Sequence, residues 1–116
     1  MKIANLEKSL SALSIEIEIL KLKINTMPKF IIERNVPNAG NFTPEMLKAM
    51  SLKSKEVLCK LGSEIQWIHS YVAGDKLYCI YMAPSEELIL EHARLGGFPA
   101  NNITKISSII DPMTAE

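Results

Sequence analysis

The apolar positions at the start of the chain repeat every three and four residues. Ile3, Leu10, Ile17 and Ile24 fall at one heptad position (a), and Leu6, Leu13, Leu20 and Met27 at the other (d), without a break. Isoleucine at a with leucine at d favours a parallel two-stranded coil, and Glu16 and Lys21 stand where an interhelical ion pair forms. A second pattern competes. Ile15, Ile17 and Ile19 alternate with Glu16 and Glu18, and Leu20, Leu22 and Ile24 alternate with Lys21 and Lys23, as in a strand. The phase of that alternation flips between Ile19 and Leu20, whereas the heptad runs on. A helical arm over residues 1–26 is therefore predicted. Ile15, Ile19 and Leu22 are left over on it, which points to packing on the body or on a second chain. The alternative is that Met27 is the working start and the upstream residues have no role of their own.

The pattern changes after Pro28. Phe30-Ile31-Ile32 followed by Glu33-Arg34, bounded by Pro28 and Pro37, reads as a strand over 29–36. Asn38-Ala39-Gly40-Asn41 is loop chemistry. Thr43 then caps a helix with Pro44 at its first position, and Phe42 and Leu47 are placed to form a hydrophobic staple. Leu47, Met50, Val57, Leu58 and Leu61 share one side of that helix with Ser54, while Lys48, Lys55 and Lys60 face out and Gly62 stops it. Residues 65–72 and 76–82 form two strands joined through Gly74-Asp75, a hairpin signal. A second helix begins at Pro84-Ser85, with Glu86 and Glu87 in its first turn, and ends at Gly96-Gly97. Residues 103–110 are expected as a last strand, stopped by Asp111-Pro112.

Strand, helix, strand, strand, helix, strand is the order of an α+β, ferredoxin-like βαββαβ sandwich over residues 27–116, here with the extra N-terminal arm of residues 1–26. Both helices cover one sheet face. The other face is left bare, to be buried by a second copy or used as a cleft.

The chain's 116 residues suit one domain. Its formal net charge of zero excludes the basic field on which nucleic-acid binding depends, and offers little resistance to self-association. No run approaches a membrane span or a signal peptide, so the expected setting is cytoplasmic. Cys59 and Cys79 lie in different elements without a paired-cysteine spacing, as two buried reduced thiols would. No phosphate loop, nucleophile elbow or zinc motif occurs, and the sequence suggests binding rather than catalysis.

On the second strand, strict alternation puts Trp67, His69 and Tyr71 on one side, suited to a cleft or interface. Across a two-residue hairpin loop, Tyr78 and Ile80 face Tyr71 and His69, and Cys79 turns into the core. His69 is a candidate metal ligand or proton carrier. His92 lies in the segment Glu91-His92-Ala93-Arg94-Leu95-Gly96-Gly97-Phe98-Pro99 and can point toward the sheet or complement the helix dipole beside Arg94. Glu33 and Arg34 point to opposite faces; Glu33 is a candidate carboxylate ligand, or the two are one salt-bridged strand end. Arg94 and Phe98 complete the residues expected at a pocket or interface.

From Met27 onward the chain resembles a family of small ferredoxin-like domains, catalogued as a domain of unknown function, that includes a nickel-binding class. The resemblance rests on Met27-Pro28-Lys29-Phe30 with Glu33-Arg34, on Trp67-Ile68-His69-Ser70-Tyr71, on the run from Asp75 to Pro84, and on Glu91-His92-Ala93-Arg94 followed by Gly96-Gly97-Phe98-Pro99-Ala100. It implies a dimer and nickel binding, with Glu33, His69 and His92 as the positions that carry over as metal ligands. Nickel accepts imidazole nitrogen and carboxylate oxygen.

Three functions follow as expectations. The first is a nickel-binding protein acting as a dimer or higher oligomer. The second is a small-molecule binder or enzyme using the open sheet face, with His69 or His92 as acid–base and Tyr71 or Tyr78 as hydrogen-bond donor. The third is an oligomerisation module driven by the arm.

Overall fold

The computed structural model describes residues 10–19 and 27–116. Residues 10–19 are helical (α1). Helix therefore prevails over strand at 15–19, where the two patterns compete. Leu10, Leu13, Ile15, Ile17 and Ile19 are all exposed on it. The heptad positions Ile3, Leu6, Leu20 and Ile24 lie outside the described residues, as do Lys21 and Leu22.

The body follows the expected order: β1 (Lys29–Asn35), α2 (Pro44–Leu61), β2 (Gln66–Ala73), β3 (Lys76–Met82), α3 (Glu86–Gly96) and β4 (Asn102–Lys105). The sheet order is β2-β3-β1-β4, and every neighbouring pair is antiparallel. β1 and β2 are thus parallel with β3 between them, and β3 and β4 are parallel with β1 between them. This is the α+β, ferredoxin-like fold.

Local chemistry places each element. The Thr43 hydroxyl accepts the Met46 N–H at 3.2 Å ahead of Pro44. Gly62, at φ 93°, ends α2. Gly74 and Asp75 form the two-residue hairpin loop between the paired residues Ala73 and Lys76, with Gly74 at φ 60°. The Asp75 carboxylate then accepts the Asn38 N–H at 2.8 Å, tying the hairpin to the loop that enters α2. Ser85 precedes α3 but makes no side-chain cap bond; Glu86 and Glu87 sit in the first turn as expected.

β4 is shorter than residues 103–110. It pairs with β1 only from Asn102 to Lys105, and Ile109 and Ile110 are exposed. The last bond runs from the Ile106 N–H to the Lys29 carbonyl. β1 begins at Lys29, and the preceding Pro28 turns its carbonyl to the opposite side, where it accepts the Ala83 N–H. The chain then ends in a 3-10 turn over Pro112–Ala115, capped by the Asp111 carboxylate.

Phe30 and Ile32 of β1, Leu77, Cys79 and Tyr81 of β3, Val57 of α2 and Ile89 of α3 bury themselves between the sheet and the two helices. Fully burying Ile32 or Ile89 stabilises the fold by about 2 kcal/mol each. Among the described residues no helix is long and apolar enough to cross a membrane.

Candidate functional site

The sheet's two faces carry different chemistry, and β2 decides part of that division. Strict alternation puts Trp67 with His69 and Tyr71; the structure separates them. Trp67 pairs with Tyr81 and His69 with Ile80, so Ile68 is an extra residue at a β-bulge. Trp67 therefore joins Ser70 and Val72 on the helix side, where its indole N–H donates to the Ser70 hydroxyl at 2.9 Å. His69 and Tyr71 keep to the open face. A bulge inserts one extra residue and so shifts the pairing by one position beyond it, and an edge strand such as β2 accommodates it readily.

On the face turned away from α2 and α3, the register makes two rows. His69, Ile80, Ile31 and Thr104 form one; Tyr71, Tyr78, Glu33 and Asn102 form the other. His69 is exposed, and its Nε2 lies 3.1 Å from the Tyr71 hydroxyl. Glu33 accepts from the Asn102 amide at 2.9 Å and pairs with Lys76 at 3.6 Å, not with Arg34. Glu33 and His69 are two strand spacings apart across the sheet and two residues apart along it, roughly 12 Å. His92 is on the other side of the sheet. The three candidate ligands are thus not brought together in one chain. Among the described residues, no group of three or more His, Cys, Asp or Glu side chains stands close enough to hold a metal ion. The donor set that the described residues of a single chain present does not fit nickel.

A concave site lies on the helix side of the sheet. A cavity of about 190 Å³ opens between α2 and the sheet. Leu47 and Met50 of α2, Val72 and Leu77 of the hairpin, and Trp67 give it apolar walls; Phe98 and Pro99 close one end. Arg34, only 4% exposed, lines it. Its Nε donates to Cys79 Sγ at 3.4 Å and its Nη1 to the Pro99 carbonyl at 2.5 Å. Its Cζ lies 5.6 Å from the centre of the Phe98 ring. Nη2 is buried without a partner, and no carboxylate among the described residues pairs with the guanidinium.

His92 sits beneath this pocket, fully buried, with Nε2 3.2 Å from the Ser54 hydroxyl and its ring against Tyr81 and Phe98. Its Nδ1 has no partner. Burial, reinforced by the nearby Arg34 charge, lowers its pKa from the ordinary 6.5 to about 4, against a smaller opposing effect of Ser54. The imidazole is neutral at pH 7. Burial raises the Tyr81 phenol above its usual value, while Ser54 and Arg34 act the other way.

Of the residues expected at a pocket or interface, Trp67 and Phe98 line the cavity, while Tyr71 and Tyr78 lie on the open face. Arg94 does neither: it is exposed on α3 and forks onto the Glu91 carboxylate at 2.5 and 2.9 Å. Cys79 is buried as expected, but Cys59 is exposed on α2, and both are free. Arg34, central to the cavity, is the residue that sequence reasoning undervalued. Its signal was available, because alternation with Phe30 and Ile32 puts it on the core side of β1.

A family model described as nickel responsive protein, SCO4226-like, matches residues 30–106. Among solved structures, the crystal structure of SCO4226 from Streptomyces coelicolor A3(2) superposes with a TM-score of 0.59 at 16% identity, covering 71% of this chain and 99% of that one. That likeness speaks to the fold. No curated protein matches the chain.

Proposed function

Because the chain belongs to the SCO4226-like family of nickel responsive proteins, we propose that it is a nickel-binding protein that works as a dimer, with His69 as its imidazole ligand. The observation that carries this reading is the position of His69. Of the chain's two histidines it alone is exposed, on the face away from α2 and α3. His92 is a poor ligand for a cation. It is buried beside the unpaired Arg34 charge, and a divalent ion there would add to positive charge in a low-dielectric site.

The described residues of one chain supply too few donors, so a second copy completes the set. A two-fold pairing presents the same patch from both chains and brings a second His69. It also covers Tyr71, which is 59% exposed, and the half-exposed Ile31, Tyr78 and Ile80. Two free thiols fit a reducing, cytoplasmic setting.

The test is elemental analysis of the full chain, incubated with equimolar nickel, zinc and copper and desalted. Mass in solution is measured alongside. About one nickel per two chains is expected for a shared two-fold site. His69→Ala is expected to lose the metal while melting like wild type, and His92→Phe to retain it. Full nickel occupancy in His69→Ala overturns the assignment. A nickel-loaded monomer overturns the dimeric reading.

A further inference from the structure

We infer that the cavity between α2 and the sheet is a binding site for a small organic monocarboxylate, with Arg34 as its anchor. This site is on the opposite side of the sheet from His69 and does not depend on the nickel reading.

The case begins with Arg34. A guanidinium has five N–H donors. Two are committed, one to Cys79 and one to Pro99, which leaves three, and all of Nη2 is unpartnered. A buried charge costs several kcal/mol unless a counter-charge and hydrogen bonds satisfy it. Among the described residues no acid does so. Neutral His92 brings no negative charge, and neither does Ser54 or Tyr81. Among the described residues, then, no carboxylate offsets the positive charge at the wall of this open cavity.

The surroundings select the anion. One buried positive charge balances one negative charge; a dianion such as phosphate would leave its second charge between apolar walls. The planar fork of arginine matches the two oxygens of a carboxylate. Ser54 and Tyr81 set hydroxyls beside the guanidinium, as further hydrogen-bond partners. Leu47, Met50, Trp67 and Val72 then face whatever the carboxylate carries. The volume of about 190 Å³ equals roughly six waters, the room for a ring or a short chain. Outside, the exposed Lys53 Nζ lies 5.8 Å from the centre of the Phe98 ring and adds positive potential at the approach.

The chain carries its own reporter. Trp67, its one tryptophan, lines the cavity. The full chain is titrated with acetate, hexanoate and benzoate while tryptophan emission is followed. Hexanamide, benzamide and inorganic phosphate serve as comparisons. A saturable change is expected with hexanoate or benzoate, at least about tenfold tighter than with the matching amide, as one charge-assisted hydrogen bond provides. Arg34→Met is expected to weaken carboxylate binding by at least about tenfold while remaining folded, because an unpaired buried charge is replaced by an apolar side chain of similar length. The carboxylate–amide comparison uses the wild-type chain and holds whatever the variant's stability. Equal binding of acid and amide, tighter binding of phosphate, undiminished binding in a folded Arg34→Met, or no saturable response to any of the three carboxylates overturns the inference.

Discussion

His92 is enclosed by Ser54, Tyr81 and Phe98 with one ring nitrogen unpaired, an arrangement suited to a neutral imidazole. Its pKa of about 4 in the fold lies below the 6.5 of a free imidazole. Between those values the unfolded chain binds more protons than the folded one. The contribution is fully present above pH 6.5 and is lost as pH falls toward 4, a change on the order of 3 kcal/mol. Urea denaturation at pH 7.5 and pH 5.0 should show this loss in wild type and a markedly smaller one in His92→Phe. Equal losses in both would contradict the role given to His92. The inward aim of His92 was one of two readings of its helix position, and burial chose between them. Arg34 was harder to read. Beside Glu33 it suggests an ion pair, yet strand geometry sends the two side chains to opposite faces, and only the folded sheet leaves Arg34 without an acid.

At the scale of elements, the end of α3 shapes the cavity. Gly97 adopts φ 68° and ends the helix, its N–H reaching the Arg94 carbonyl at 3.3 Å. Gly96 has a different reason to be glycine: a Cβ there would collide with the Phe98 ring, which packs against Arg34 and His92. Gly97→Ala should cost about 1 kcal/mol through backbone strain. Gly96→Ala should cost more, about 2 kcal/mol, because a ring in a packed site must move. Urea midpoints of the two variants give the order. A Gly96→Ala variant no less stable than Gly97→Ala would contradict the ring's position. The stop itself was legible from Gly96-Gly97, but the separate use of each glycine was not. The bulge at Ile68 was likewise invisible: Trp67-Ile68-His69 reads as plain alternation, and burial of the indole beside Ser70 and Tyr81 accompanies the extra residue.

At the scale of the molecule, the buried core lies within residues 30–93 and is built from the sheet, α2 and α3. A chain lacking residues 1–26 should therefore fold, with a cooperative melt. The exposed Leu10, Leu13 and Ile17 on α1 belong to the heptad and supply a seam for a second helix. Deleting the arm should lower the mass measured by light scattering if the arm drives association. An unchanged mass would place association on the sheet face instead.

The sequence by itself determined the order of elements, the caps, the hairpin loop and the ferredoxin-like topology. These follow from interactions local in the chain: alternation, heptad spacing, Thr43-Pro44, Gly74-Asp75 and Gly97. Tertiary structure alone decided the length of β4 and the side to which Trp67 turns. It also decided that Glu33 and His69 stand apart from His92, and that Arg34 meets a cavity rather than a carboxylate. Each of these depends on which residue lies across a strand or beneath a helix, and a pattern read along one dimension does not contain that neighbour.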